Sequence, residues 1–268
     1  MLGRDRAQRY ADRRKRPRGS FNPTQLSSIA AWLRLQASSQ SAGEWTNWVD
    51  VLNSNPMAFN VARRPAVAAA ANGLPVATFL TNDIGVWPIA ASNNNRNTVG
   101  YFEWAKPVGV TGTQDLLSIW NGSGGSSDRQ ILSFFSGINW VVILQTDATH
   151  GRQATVVSAA SAGVWRCYGI EFDSSGSGDA CLTLSIDGVI QSPTMAASPN
   201  GDGPLGTLTA VTGNIIVPNF QDGAAASHLD GDLGPNLFAL TSKMAGASTG
   251  QLLTAAARAA IAAFERPT

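Results

Sequence analysis

Trp165-Arg-Cys-Tyr-Gly-Ile-Glu-Phe-Asp173, then Ser174-Ser-Gly-Ser-Gly-Asp179, then Cys181-Leu-Thr-Leu-Ser-Ile-Asp-Gly-Val-Ile190 is the stretch that decides the fold. Apolar residues alternate with others on both sides of a Gly/Ser loop, the pattern of an antiparallel hairpin with one face in a core. Asp187-Gly188 supplies a second tight turn able to take positive φ. If the loop centres the hairpin, cross-strand partners sum to about 353. That register sets Cys167 opposite Ile186 and Cys181 opposite Phe172, with the two thiols on opposite faces, so both cysteines are expected to be reduced.

Working outward, short strands are predicted at 29–33, 99–106, 115–120, 130–136, 138–146, 153–159, 164–173, 180–186, 205–211 and 233–240. Strands this short and this evenly spaced argue for an all-β sandwich. Before them, Phe21-Asn-Pro-Thr-Gln-Leu26 reads as a helix start, with Asn22 as cap, Pro23 in the first turn and Phe21 stapled to Leu26. At the other end, Gly250 to Phe264 is helical by composition, with Leu253, Ala257, Ala260, Ile261 and Phe264 on one stripe. No internal repeat is visible.

The 268 residues are 44% hydrophobic and 14% charged, enough to build one core. The net charge of +1 hides an asymmetry. Residues 1–20 hold Arg4, Arg6, Arg9, Arg13, Arg14, Lys15, Arg16 and Arg18 against Asp5 and Asp12, a net of +6, whereas the remainder carries −5. The domain division is therefore a basic arm at 1–20 and a sandwich at 21–268. The arm lacks the apolar segment of roughly 7 to 15 residues that a secretory signal needs, and no run reaches the roughly 18 apolar residues of a membrane span. The expectation is a soluble chain that stays where it is made and contacts no membrane.

Several motifs together resemble the concanavalin A-like, laminin-G-like jelly roll of the kind carried by bacteriophage and gene-transfer-agent virion proteins. They are Phe21-Asn-Pro23, Trp32-Leu33, Trp48-Val-Asp50, Arg64-Pro65, Asn72-Gly-Leu-Pro-Val-Ala-Thr-Phe79, the Trp165 to Ile190 hairpins and Gly231-Asp-Leu-Gly234 with its following strand and helix. The resemblance spans roughly 21–265. It implies a jelly-roll β-sandwich with a short C-terminal helix, and a function weighted toward binding glycans or proteins rather than catalysis.

Glycan-cleaving members of this superfamily need two carboxylates flanking the scissile bond, about 5 to 5.5 Å apart in retaining enzymes. Their Glu-x-Asp-x-x-Glu pattern is met here only by Glu171-Phe-Asp173, because position 176 is Gly. The pair reads instead as a strand carboxylate and a turn-starting Asp, and no enzyme activity is expected. Two histidines, His150 and His228, exclude a three-His metal site. Gly122-Ser-Gly-Gly125 lacks the Lys of a phosphate loop. Asp230 with Asp232, and Asp173 with Asp179, have the chemistry for calcium, but Asp-Gly pairs also simply make turns. No cofactor is called for.

Aromatic residues are the stronger lead. Eight Trp exceed the expected needs of a core this size, and sugars stack on indoles while Asn, Asp and Arg bind the hydroxyls. Trp32, Trp48 and Trp165 fit core positions of the resemblance. Trp87 beside Asn93, Asn94, Asn95 and Arg96, and Trp120 beside Asn121, Asp128 and Arg129, form the candidate ligand site. The basic arm suits docking to a capsid, portal or tail protein; without a base-reading motif, nucleic acid is the weaker partner. The expected function is a head spike, fibre or decoration protein of a phage-like particle that binds host surface polysaccharide, assembled in the bacterial cytoplasm and released in the virion. A homo-oligomer is compatible with this. A structural cement protein and a glucanase-like enzyme are the alternatives.

Overall fold

The structure is a computed structural model that describes residues 21–53, 56–59, 64–80, 83, 85–88, 97–120, 129–146, 150–199, 203, 205–208, 214–217 and 228–268. The side chains at 87, 88, 120, 129 and 214–216 lie outside that description, as does the whole basic arm, 1–20. Nineteen strands occur among the described residues. In chain order they are β1 (Ile29–Arg34), β2 (Gln40–Ser41), β3 (Glu44–Trp45), β4 (Asn47–Asp50), β5 (Met57–Phe59), β6 (Ala66–Ala69), β7 (Pro75–Phe79), β8 (Gly85–Pro88), β9 (Thr98–Pro107), β10 (Thr113–Trp120), β11 (Arg129–Ser136), β12 (Asn139–Gln145), β13 (Gly151–Val156), β14 (Arg166–Asp173), β15 (Leu182–Ile186), β16 (Val189–Ile190), β17 (Thr194–Ala197), β18 (Asn214–Val217) and β19 (Gly231–Leu240). One α-helix, α1 (Ala255–Ala263), follows.

The strands form two antiparallel sheets, as the jelly-roll reading requires. Sheet A runs β16-β15-β14-β9-β19, where β19 pairs along its far side first with β7 and then with β1. Sheet B runs β17-β13-β12-β11-β10-β18-β8-β5. β4 ties the two together: Asp50 pairs with Leu33 of sheet A while Trp48 pairs with Met57 of sheet B. A strand that changes sheets in this way closes one corner of a sandwich.

The inner faces meet in one core that includes Trp45, Trp48, Phe79, Phe135, Trp140, Tyr168 and Phe172. A second core lies on the outer face of sheet A, where Trp32, Phe102, Trp104, Trp165, Cys167 and Phe238 are covered by Leu252, Leu253 and α1. The central strand β9 is therefore buried on both faces. The Trp surplus has its explanation here. Trp32, Trp45, Trp48, Trp104, Trp140 and Trp165 are all at most 7% exposed, so two cores, rather than one, absorb six of the eight.

The hairpin holds, with its register moved by one. Tyr168 pairs with Ile186 and Phe172 with Leu182, a sum of 354, because a 3-10 helix at Gly178–Cys181 lengthens the turn. Cys167 thus lies level not with Ile186 but with Asp187, and the Asp187 N–H donates to the Cys167 carbonyl at 2.8 Å. The thiols are free and do sit in different cores, Cys167 under α1 and Cys181 between the sheets. Asp187 (φ 52°) and Gly188 (φ 81°) make the expected turn. Gly169 is required for another reason: a Cβ there would come within 2.2 Å of the Phe102 ring.

Four expectations change. Residues 205–208 form no strand; Leu205 and Leu208 plug the inner core from an irregular segment, so the apolar residues that suggested a strand are spent on packing. β13 stops at Val156 rather than 159, where Ser158 takes φ 55° and breaks the extended chain. The helix stripe contains Arg258, buried, in place of Ala260, which is only half-buried. The entry helix at Pro23–Gln25 is a single 3-10 turn, capped by Asn22 as expected.

Candidate functional site

β8 and β10 run parallel, separated only by β18, and both end at the same pole of sheet B. Ile215 pairs with Trp87 on one side and with Ile119 on the other. Trp120, the next residue of β10, pairs with Arg129 of β11. Two strand spacings, about 10 Å, thus separate the backbones carrying Trp87 and Trp120. The fold brings together two segments that lie more than thirty positions apart in the chain and were selected separately. Asn93, Asn94, Asn95, Arg96, Asn121 and Asp128 belong to the connections leaving this pole and lie outside the described residues.

Register also separates the two tryptophan positions. Trp87 shares its line with Ile119 and Ile131, both fully buried in the inner core. The pairing of β10 with β11 shifts register between Ile119 and Trp120. Nearby, the Asn97 carboxamide oxygen accepts from Thr207 Oγ1 (3.1 Å) and Ser174 Oγ (3.5 Å), joining three connections at this polar pole.

The carboxylates singled out by the sequence are held by protein partners. Glu171, fully buried, accepts from Arg258 Nε (2.5 Å) and Nη2 (3.1 Å) and from the N–H groups of Leu252 and Leu253 (2.8 Å each). It anchors α1 and is sealed from any substrate. Asp173 receives Lys243 Nζ (2.8 Å) and two bonds from Ser175. Burial alone would raise its carboxyl, but the Lys243 and Ser175 bonds outweigh that and hold it below the usual range. Asp179 is gripped by Arg152 through Nε (2.7 Å) and Nη2 (2.8 Å), which lowers it too. Asp232 takes Thr78 Oγ1 and Lys106 Nζ, both at 2.6 Å. Asp230 uses its backbone, donating to Gln114 Oε1 (3.3 Å). Among the described residues no three His, Cys, Asp or Glu side chains converge as a metal site would require.

A cleft of about 500 Å³ lies elsewhere, on the outer side of sheet A, walled by Phe21, Trp32, Arg34, Phe264 and Glu265. The sequence reading did not anticipate it, because Phe264 and Trp32 are 232 positions apart in number. Its polar groups are already engaged. Trp32 Nε1 donates to Asn236 Oδ1 (2.8 Å), Asn236 Nδ2 to Glu265 Oε2 (3.0 Å), and Arg34 pairs with Glu265 while lying over the Trp32 ring. What remains open is ring surface from Phe21 and Phe264, which meet edge to face at 5.7 Å.

No protein-family model and no curated protein matches the chain. Solved structures do. The botulinum neurotoxin type G receptor binding domain aligns over 88% of this chain and 51% of its own, at 10% identity and TM-score 0.56. The serotype D ligand binding domain in complex with N-acetylneuraminic acid aligns over 89% and 52%, at 9% identity and TM-score 0.58. Trypanosoma rangeli sialidase in complex with sialic acid aligns over 88% and 33%, at 13% identity and TM-score 0.56. The chain spans about half the length of the toxin domains and a third of the sialidase. At such identities the likeness establishes architecture, and the chain is thereby placed among β-sandwiches of the jelly-roll type.

Proposed function

We propose that this chain is a non-catalytic glycan-binding domain whose site lies at the polar pole of sheet B. The observation that carries this is the convergence of the Trp87 and Trp120 strand ends, with their Asn- and Arg-containing connections, at one end of the sandwich. Similar structures whose names include sialic acid and N-acetylneuraminic acid support a sugar ligand. The sealing of Glu171 by Arg258 supports binding without cleavage. The finer reading is that the domain rides on a phage-like particle, held by the basic arm, and recognises host surface polysaccharide.

Binding of the purified full chain to bacterial surface polysaccharide is the first test, with Trp120→Ala expected to abolish binding while melting near the wild type. Trp87→Ala is expected to weaken binding in the same way; a loss of about 3 to 5 kcal/mol of stability, as for a core aromatic, would instead assign Trp87 to the core and take it out of the site. Arg34→Ala, in the separate cleft, leaves binding intact; loss of binding there would move the site to the cleft. Retained binding in Trp120→Ala would reject the polar pole, and release of reducing ends would reject the non-catalytic reading. For attachment, a protein lacking residues 1–20 should stay folded but fail to co-purify with particles. Normal occupancy without the arm would sink that part alone.

A further inference from the structure

The cleft on the outer side of sheet A lies where the basic arm joins the sandwich. Phe21, the first described residue, lines it and meets Phe264 edge to face at 5.7 Å. Trp32 continues the aromatic lining, 5.5 Å from Phe264. At the polar rim Arg34 gives Glu265 only its Nη2 among the described residues, so its Nε and Nη1 donors remain for a hydroxyl. Ring faces beside a hydrogen-bonding rim fit a phenol. The adjoining helix is bare. Ala255, Ala256, Ala259 and Ala263 are the exposed residues of α1, and Ala263 also lines the cleft. A surface helix normally turns charged or polar side chains outward; here the outward face is alanine alone.

Residues 1–20 are the chain placed to cover both. They lie outside the described residues, and they join the domain at Phe21, in the lining of the cleft itself. Tyr10 is their one aromatic residue. Eleven positions separate it from Phe21, a reach of up to roughly 36 Å in extended chain, and Gly19 lets the chain reverse at the cleft mouth. Ala7, Tyr10 and Ala11 are spaced i, i+3, i+4, so a helical arm would turn all three to one face. The arm carries +6 and the rest of the chain −5, which favours contact between them. A tether this short also sets an effective concentration of roughly millimolar, which any untethered occupant must match.

We propose that the basic arm docks on its own domain, with the Tyr10 ring in the cleft beside Phe21, Trp32 and Phe264 and its hydroxyl at the Arg34–Glu265 pair. Docking stows the arm, so a partner that takes its eight cations must first displace Tyr10. The proposal concerns the isolated protein. It stands whether or not the arm later joins a particle, and whether or not the pole binds glycan.

Nitration by tetranitromethane tests it, because the other two tyrosines, Tyr101 and Tyr168, are 4% and 2% exposed and leave Tyr10 as the reporter. In the full chain Tyr10 is expected to react about tenfold or more slowly than in an isolated peptide of residues 1–20, since the reagent reads the undocked population. Ala263→Lys puts a cation at the cleft against a cationic arm and should restore the peptide's rate. Ala263 is exposed at the end of α1, so that variant should melt like the wild type. Ala196→Lys, exposed on β17 of the other sheet, is the control and should keep the protection. Tyr10 reacting at the peptide's rate in the wild type would overturn the proposal, as would protection that survives Ala263→Lys. Protection that disappears on dilution would also overturn it, because the arm would then sit in the cleft of a second copy.

Discussion

Glu103 on β9 and Glu171 on β14 sit on neighbouring strands of sheet A, both shut away from water, with opposite surroundings. Glu171 faces outward under α1 and meets a guanidinium and two backbone N–H groups. Glu103 faces inward, level with Tyr168 and Leu237, and its Oε2 finds no hydrogen-bond partner among the described residues. Burial pushes the Glu103 carboxyl up to about 8. Equal burial therefore gives one glutamate gripped by a guanidinium and two N–H groups, and another whose carboxyl stays protonated through neutral pH. Partners, not depth, set the two carboxylates apart.

The largest effect expected from this contrast is at Glu171. Glu171→Ala leaves the Arg258 cation and two N–H groups buried without their acceptor, and breaking a buried pair from one side costs about 3 to 5 kcal/mol. The double change Glu171→Leu with Arg258→Leu should recover a substantial part of that loss, since an apolar pair of similar volume removes both desolvated charges. Urea melts of the two single variants and the double variant measure the coupling. Single-variant losses below about 1 kcal/mol would mean that the pair behaves as a surface bridge despite its burial.

Glu103 gives the next effect, and its sign is opposite to that of most carboxylates. Its folded value of about 8 lies above the ordinary value of 4.5. Between those limits the native state keeps a proton that the unfolded chain has lost, so stability is full below the lower limit and falls as pH rises through the upper one. The slope is at most about 1.4 kcal/mol per pH unit. Asp173 and Asp179, held low by their cations, act the other way and lose their contribution only in stronger acid. Stability should peak in mild acid. Glu103→Gln keeps the shape, removes the slope, and should exceed the wild type at pH above the window. A wild type whose melting is flat across neutral pH would show that Glu103 is charged and paired after all.

Much of the architecture was legible because it rests on short-range alternation. The Trp165 to Ile190 hairpins follow from period-2 patterning and the Asp187-Gly188 turn from its residue types, while the buried Trp32, Trp48 and Trp165 were what the jelly-roll resemblance implied. The second core was not. Phe102 and Trp104 alternate with Tyr101 and Glu103 in β9, and only α1, 150 positions later, explains why both sets are buried. Arg258 was missed for the same reason: in an alanine-rich helix it looks solvated until Glu171 is placed beneath it. At the candidate site, the residue types could be read, but the meeting of Trp87 with Trp120 depends on β18, a strand contributed from nearly a hundred positions beyond β10.

The smallest effect tests whether geometry alone could account for the Glu171 result. Arg152 and Asp179 make the same two-toothed contact as Arg258 and Glu171, at 2.7 and 2.8 Å, but the Asp179 side chain is 42% exposed where that of Glu171 is fully buried. Water screens the exposed pair and competes for both partners, so Asp179→Asn should cost no more than about 1 kcal/mol. That cost should shrink further in molar salt, where the screening length falls to about 3 Å, and in acid, as pH drops through the lowered Asp179 value and the wild type loses the charge as well. The Glu171→Ala loss should resist salt, because no ion reaches a pair beneath α1. Melts of both variants at low and high salt separate the cases. Equal losses at the two sites, or equal salt sensitivity, would show that fork geometry rather than burial sets the strength of these pairs.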